Sequence, residues 1–336
     1  MATSSIKEVA RRAGVSIGTV SNVLNRPDLV APATRQRVLD AITTLGYVRN
    51  DSARQLRAGQ SRTVAVVVLD VANPFFTDVV RGAEAALDNS GAMVIVCNSD
   101  ENPVRERRHL DQLEEQRVRG ILITPVDNGS NERLEQLIRN GIPVVLVDRG
   151  SRTRNRCSVA VDDVLGGRLA VTHLIETGHR LIAFVGGPTS IAQVADRHAG
   201  AAAVAAERRD VKLSVLEMPA LTTAFGRMAG EKIADLPAGR RPTAVFCAND
   251  LLALGVLQEM TRRGLAVPGD VAIVGYDDIE YAAAAAVPLS SVAQPRELLG
   301  RTAAELLYGE INDGENHRHR QVVFEPELVV RDSSAR

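Results

Sequence analysis

The stretch IKEVARRAGVSIGTVSNVLN, residues 6–25, decides how this chain is read. Ile6, Val9, Ala10 and Ala13 recur at helical spacing, and Ser5 stands where an N-terminal cap belongs. Gly14 suits the left-handed stop of that helix. Ser16 can cap a second helix, roughly 17–24, whose inner face is Val20, Val23 and Leu24. Pro32 opens a third helix with a stripe of Val38, Ile42 and Leu45, closed by Gly46. Two helices joined by a tight Ala-Gly-Val turn and braced by a third make a helix-turn-helix unit.

Downstream, residues 50–62 (NDSARQLRAGQSR) hold one or two turns of helix-forming sequence before Gly-Gln-Ser. That is too short for an isolated helix in water, so it reads as a linker that orders on a partner. From Thr63 the pattern changes. Apolar, β-branched runs at 63–70, 92–97, 120–125, 142–148, 181–186, 243–248 and 271–276 alternate with amphipathic helical stretches. Such runs mean parallel strands buried on both faces, joined by crossover helices. The series is long enough for two similar lobes, split near Asp162 with a return near Pro288. The expected fold is α/β: a helix-turn-helix head (1–49), a hinge helix and linker (50–62), and a two-lobed body with parallel sheets (63–336).

The charge supports this division. The whole chain has a net charge of −1, but residues 1–62 carry ten basic and four acidic side chains, a net of +6. The remainder carries 30 basic and 37 acidic side chains, a net of −7. A basic head on an acidic body suggests that only the head meets a polyanion. The apolar runs are too short to span a bilayer, and the first residues lack the apolar core of a signal peptide. Cys97, Cys157 and Cys247 are scattered, so neither a disulfide framework nor a zinc site is expected, and a reducing cytoplasm is the natural setting. The six histidines are dispersed, with His317 and His319 in a polar loop read as solvated.

No catalytic or cofactor signature stands out. GxGxxG, GxxxxGK and HExxH are all missing, and no nucleophile–base pair is evident. Gly166-Gly167 and Gly186-Gly187 read as close-packing or turn positions. The chain is therefore expected to be no enzyme and to carry neither cofactor nor metal. Ligand in an open α/β fold sits at the carboxyl ends of strands. That rule alone selects Asn73, Phe75 and Phe76, then Asp148 and Arg149, then Asn249 and Asp250, then Asp277. Two adjacent phenylalanines in a chain with only six are suited to the C–H faces of a sugar or to a nucleobase.

Residues 6–25, with TRQRVLDAITTLGY (34–47) and ARQL (53–56), resemble the DNA-binding head of the LacI/GalR repressor family. The resemblance continues over the body to about Glu327. It implies DNA contacts at Ser16, Ile17, Gly18, Thr19, Ser21, Asn22, Asn25, Thr34, Tyr47, Asn50 and Leu56. Ile17, Gly18 and Asn22 would read bases, and most of the others would position the head on phosphates. Asn22 replaces an arginine of many relatives, which shifts the preferred partner from guanine toward adenine. Ala31 replaces a common serine, and Arg49 a common proline. Leu56 would wedge into the minor groove at the operator centre.

The body is similar to the periplasmic sugar-binding fold, and NPFF (73–76), VDR (147–149), ADRHAG (195–200), AND (248–250), GYDD (275–278) and AQP (293–295) are similar to binding elements of ribose-binding proteins. That likeness implies ligand contacts at Asn73, Phe75, Phe76, Asp148, Arg149, Arg197, Phe225, Asn249, Asp277 and Gln294. The implied protein is a homodimeric transcriptional repressor on a palindromic operator, controlled by D-ribose or a similar pentose. A nucleobase, a nucleoside or another sugar, acting as inducer or corepressor, stays open. Without leucine heptads at its end, the chain is not expected to form a coiled-coil tetramer.

Overall fold

The computed structural model describes residues 5–47, 61–127, 132–151 and 153–335. Asn50, Leu56 and the rest of the expected hinge to residue 60 lie outside the described residues. The chain divides into a unit ending at Gln60 and a second unit, Ser61–Arg336.

The head holds α1 (Ile6–Ala13), α2 (Ile17–Asn25) and α3 (Pro32–Leu45). Its helix ends are set by local chemistry. Ser5 and Glu8 cap each other reciprocally: the Glu8 amide donates to Ser5 Oγ at 3.4 Å and the Ser5 amide to Glu8 Oε2 at 2.7 Å. Gly14 and Gly46 close α1 and α3 in the left-handed region, at φ 63° and 57°. Ser16 caps α2 by accepting from the Thr19 amide at 3.1 Å. Ala31 leaves α3 without a side-chain cap. Val9, Ala10, Ala13, Val20, Val23, Val38 and Ala41 form the buried core of this unit.

In the body, the first lobe begins with β1 (Thr63–Val68), β2 (Met93–Asn98), β3 (Gly120–Ile123), β4 (Val144–Val147) and β5 (Ser158–Val161). They alternate with α4 (Pro74–Leu87), α5 (Pro103–Glu115) and α6 (Glu132–Arg139). The chain then crosses over and builds β6 (Leu181–Gly186), β7 (Lys212–Glu217), β8 (Ala244–Cys247), β9 (Ala272–Asp277) and β10 (Ser290–Ala293). The helices of this second lobe are α7 (Asp163–Glu176), α8 (Ala192–Ala206), α9 (Thr223–Ala234), α10 (Asp250–Arg262) and α11 (Glu280–Ala284). A long return helix, α12 (Arg296–Asp313), and β11 (Gln321–Phe324) rejoin the first lobe; β12 (Glu327–Val329) ends in the second.

The sheet orders are β11-β5-β4-β3-β1-β2 and β12-β10-β9-β8-β6-β7. Among the described residues, only β12 runs antiparallel to its neighbour. The sheets are covered on both faces, as β1 shows. Val64, Val66 and Val68 face the main core, whereas Ala65 and Val67 face a second cluster that includes Leu110, Leu113, Leu134 and Leu137 of α5 and α6. The first crossing lies where expected, between Val161 and Asp163. The return lies after Ala293 rather than near Pro288, because residues 290–293 still pair with β9. A third crossing, between Phe324 and Glu327, has no counterpart in the sequence reading.

Candidate functional site

In the head, the start of α2 presents its side chains to solvent. Ile17 is 42% exposed, and Gly18 and Asn22 are exposed beside it. Ile17 lies outside the packed core of the head, and an isoleucine side chain can contact a base edge such as a thymine methyl. Thr19, Ser21 and Asn25 are tied locally. Thr19 Oγ1 lies 2.9 Å from Ser16 Oγ, and Asn25 Nδ2 donates to the Ser21 carbonyl at 2.8 Å. Thr34 sits half-buried in the first turn of α3, and Tyr47 packs half-buried on the head core.

In the body, a cleft of about 440 Å³, part of it open to solvent, lies between the lobes. The first lobe contributes Asn73, Phe75 and Phe76 from the start of α4, Glu101 after β2, and Asp148 after β4. The second contributes Gln193 and Arg197 from α8, Asn249 after β8, and Asp277 at the end of β9. Phe75 and Phe76 meet edge to face, with centroids 5.0 Å apart. Three of the expected contacts stand back from the cleft lining. Gln294 acts behind Asp277, Phe225 packs against the core, and Arg149 follows Asp148 half-buried, its amide donating to the Val159 carbonyl. Asp250 turns inward: its carboxylate accepts from Ser291 Oγ at 2.7 Å and from the Ile279 amide at 2.9 Å.

Arg197 organises the floor. Its Nε donates to Asp163 Oδ1 at 2.8 Å and its Nη1 to the Ala248 carbonyl at 2.6 Å. Asp277 Oδ1 lies 3.7 Å from Nη1, and the guanidinium carbon sits 3.7 Å over the Tyr276 ring. Burial opposes the Arg197 charge, but Asp163, Tyr276, Asp277 and Asp148 together hold it. Asn73 Nδ2 reaches across the lobes to Asp277 Oδ2 at 3.3 Å, and Gln294 Nε2 donates to Asp277 Oδ1 at 2.7 Å. Gln193 Nε2 donates to the Asp148 carboxylate at 2.9 Å, again between lobes. Asp148, Asp277 and Glu101 all hold left-handed backbone, at φ 54°, 102° and 51°. Strain of that kind persists where the surroundings over-determine it, as at ligand clamps.

Sequence reasoning missed Gln193 and Glu101. The strand-end rule could have found Glu101, which closes the polar run Asn98-Ser99-Asp100-Glu101 after β2. Gln193 lies inside α8, where no strand end marks it. Another departure concerns His317 and His319, expected in solvent. The structure brings both against Cys157 instead, because β11 pairs with β5.

The cleft is acidic. Burial holds Asp148 well above the usual carboxylate range, with Asp163 adding to it. Burial also pushes Glu101 up to about 7, and Asp70 beside it contributes. Asp277 is pushed up to about 6 by burial, against the pull of Arg197, Asn73 and Gln294. A raised carboxyl binds protons more tightly folded than unfolded. Its stabilising share is full below 3.8 and is lost as pH rises through about 6. Asp277→Asn, neutral throughout, is expected to flatten the fall in melting temperature between about pH 4 and 6. Calorimetry at stepped pH measures this, and an unchanged slope would count against it.

Comparison with known proteins agrees with both parts. The model for bacterial regulatory proteins of the lacI family matches residues 5–50, and that for the periplasmic binding protein-like domain matches residues 171–334. The HTH-type transcriptional repressor PurR of Aliivibrio fischeri (strain MJ11) is 35% identical, over 98% of each chain. This chain belongs to the lacI family. Repressors of this family bind DNA and are not enzymes. The lac repressor dimer bound to operator and the anti-inducer ONPF superposes with TM-score 0.84 at 27% identity, over 100% of both chains. A LacI family transcriptional regulator from Enterococcus faecalis V583 with bound ribose superposes with TM-score 0.73 at 30% identity, over 81% of this chain and 98% of that one. No helix among the described residues is long and apolar enough to cross a membrane.

Proposed function

We propose that this repressor reads a palindromic operator as a homodimer and that D-ribose or a similar pentose, bound between the lobes, sets its affinity for DNA. One observation carries the effector assignment. Asp148 Oδ1 and Gln193 Oε1 line the cleft, are buried, and have no hydrogen-bond partner among the described residues. Unpaired buried acceptors are costly, and a ligand rich in hydroxyl donors relieves that cost. The cleft lining holds one cation, Arg197, against Asp70, Glu101, Asp148 and Asp277. That balance favours a neutral polyol and repels a phosphorylated one. Phe75 and Phe76 offer apolar faces to its C–H surface.

A nucleobase or nucleoside is the second reading, supported by the same aromatic pair, which suits a flat heterocycle equally well. Titration calorimetry of the full-length protein with D-ribose and with purine bases, with and without operator DNA, tests both. Ribose binding is expected, with its affinity and that of the operator shifted by one common factor. Purine binding without ribose binding would replace the pentose reading by the second. Ribose binding that leaves operator affinity unchanged would remove the coupling.

A further inference from the structure

We propose that Cys157, His317, His319 and Glu310 form a site for a divalent transition-metal ion of the zinc type. One ligand atom from each lies within 4.8 Å of all the others. Cys157 Sγ is 3.2 Å from His317 Nε2 and 3.9 Å from His319 Nδ1, which is 3.7 Å from Glu310 Oε2. A tetrahedral ion with bonds of about 2.0–2.3 Å holds its ligand atoms roughly 3.3–3.7 Å apart. The three separations of 3.2, 3.9 and 3.7 Å stand near that spacing. Thiolate, two imidazoles and a carboxylate form a borderline-soft set that suits zinc over calcium or magnesium.

The topology explains the gathering. Ser158 and Gln321 are register partners at the start of β5 and β11, so Cys157 and Arg320 lie side by side. His317 and His319 are two residues apart in the segment leading into β11, and alternate residues of extended chain share a face. Glu310 comes from the last turn of α12. The site lies at the amino end of β5, whereas the ligand cleft lies at carboxyl ends of strands in the same sheet. The two are separate.

Supporting groups complete the arrangement. Asp313 Oδ2 is 3.6 Å from His317 Nδ1, the nitrogen that faces away from Cys157. A carboxylate behind a ligating histidine fixes its ring and tautomer. The Arg320 amide donates to Cys157 Sγ at 3.3 Å. Glu310 Oε2 is buried and has no hydrogen-bond partner among the described residues, which an ion would correct. Cys157 is fully buried while the side chain of His319 is 27% exposed, so an ion has a way in. Binding would fasten β11 and the end of α12 to β5, a closed structural site without an open position.

The test uses tag-free, full-length protein stripped with chelator and titrated with Co²⁺. One cobalt per chain is expected, with the visible bands of a four-coordinate ion and a thiolate-to-cobalt band in the near ultraviolet. Zn²⁺ should displace it. Cys157→Ser should lose the thiolate band, and Cys97→Ser should keep it. The half-exposed His319→Gln should fold normally and bind at least about tenfold more weakly. Zinc should raise the melting temperature of the wild type and leave that of His319→Gln nearly unchanged. Six-coordinate cobalt, a thiolate band surviving in Cys157→Ser, or equal zinc affinity in His319→Gln would each overturn the site.

Discussion

Arg197→Met is expected to destabilise the body by about 3–5 kcal/mol, because it leaves buried carboxylates without their cation. The Arg197 side chain is 5% exposed and that of its partner Asp163 is 7% exposed. Methionine fills similar volume, so lost packing is a small part of the effect. What is lost is the charge that lets Asp163, Asp277 and Asp148 share one desolvated region. A domain of this size shifts by about 2–4 °C for each kcal/mol, so the melting temperature should fall by roughly 6–20 °C. The deficit should also depend on pH. Without the guanidinium, the folded carboxyls bind protons still more tightly, so the variant loses more stability than the wild type as pH rises. Scanning calorimetry at about pH 5.5 and 7.5 should therefore show a larger gap at the higher pH. Arg197→Lys should lie between, since it keeps the charge but loses the planar fork. A gap that is equal at both pH values would refute the electrostatic origin of the loss.

The same residue shows what was legible in the sequence. Arg197 is marked by ADRHAG, and Asp148, Asn249 and Asp277 by strand ends, because a parallel sheet delivers its carboxyl-terminal residues to one cleft. The head was legible to its caps, since Ser5, Gly14, Ser16 and Gly46 act within a few residues of their own positions. β1, β3, β4, β6, β8 and β9, and the edge strand β2, announced themselves as continuous apolar runs; the short internal strands β5 and β10 and the edge strands β7, β11 and β12 did not. In β7, KLSVLE, most side chains are exposed, and β11 and β12 are short and half-wet. Such strands are held by their neighbours and carry weak patterns of their own. Gln193 is invisible for a related reason: its role comes from a carboxylate across the cleft, on the other lobe. The metal-type cluster is the extreme case. Cys157 and His317 are 160 residues apart, and only the return of the chain into the first lobe makes them neighbours.

Glycine pairs at the helix crossings carry the second large effect. At the crossing of α4 with α12, a Cβ on Gly300 would stand 1.8 Å from the Val79 carbonyl oxygen, and one on Gly82 2.0 Å from that of Glu297. Gly167 and Gly200 meet the same way between α7 and α8, as do Gly226 and Gly255 between α9 and α10. The obstacle is backbone each time, so no rotamer change relieves it; the helices must move apart. Gly300→Ala is therefore expected to cost about 3 kcal/mol or more, although alanine by itself favours a helix by about 1 kcal/mol. Gly309→Ala is the control within the same helix. Its Cβ would meet only the His317 ring, Cε1 at 3.6 Å and Nδ1 at 3.8 Å, both ordinary contacts, so the propensity gain should survive. Urea midpoints should move in opposite directions for the two variants, and movement in the same direction would refute the argument. The consequence extends to the cleft. Asn73 caps α4, and Phe75 and Phe76 lie in its first turn, so displacing α4 displaces one wall of the ligand site. Gly300→Ala should then weaken effector binding in whatever fraction remains folded, whereas Gly309→Ala should leave it unchanged.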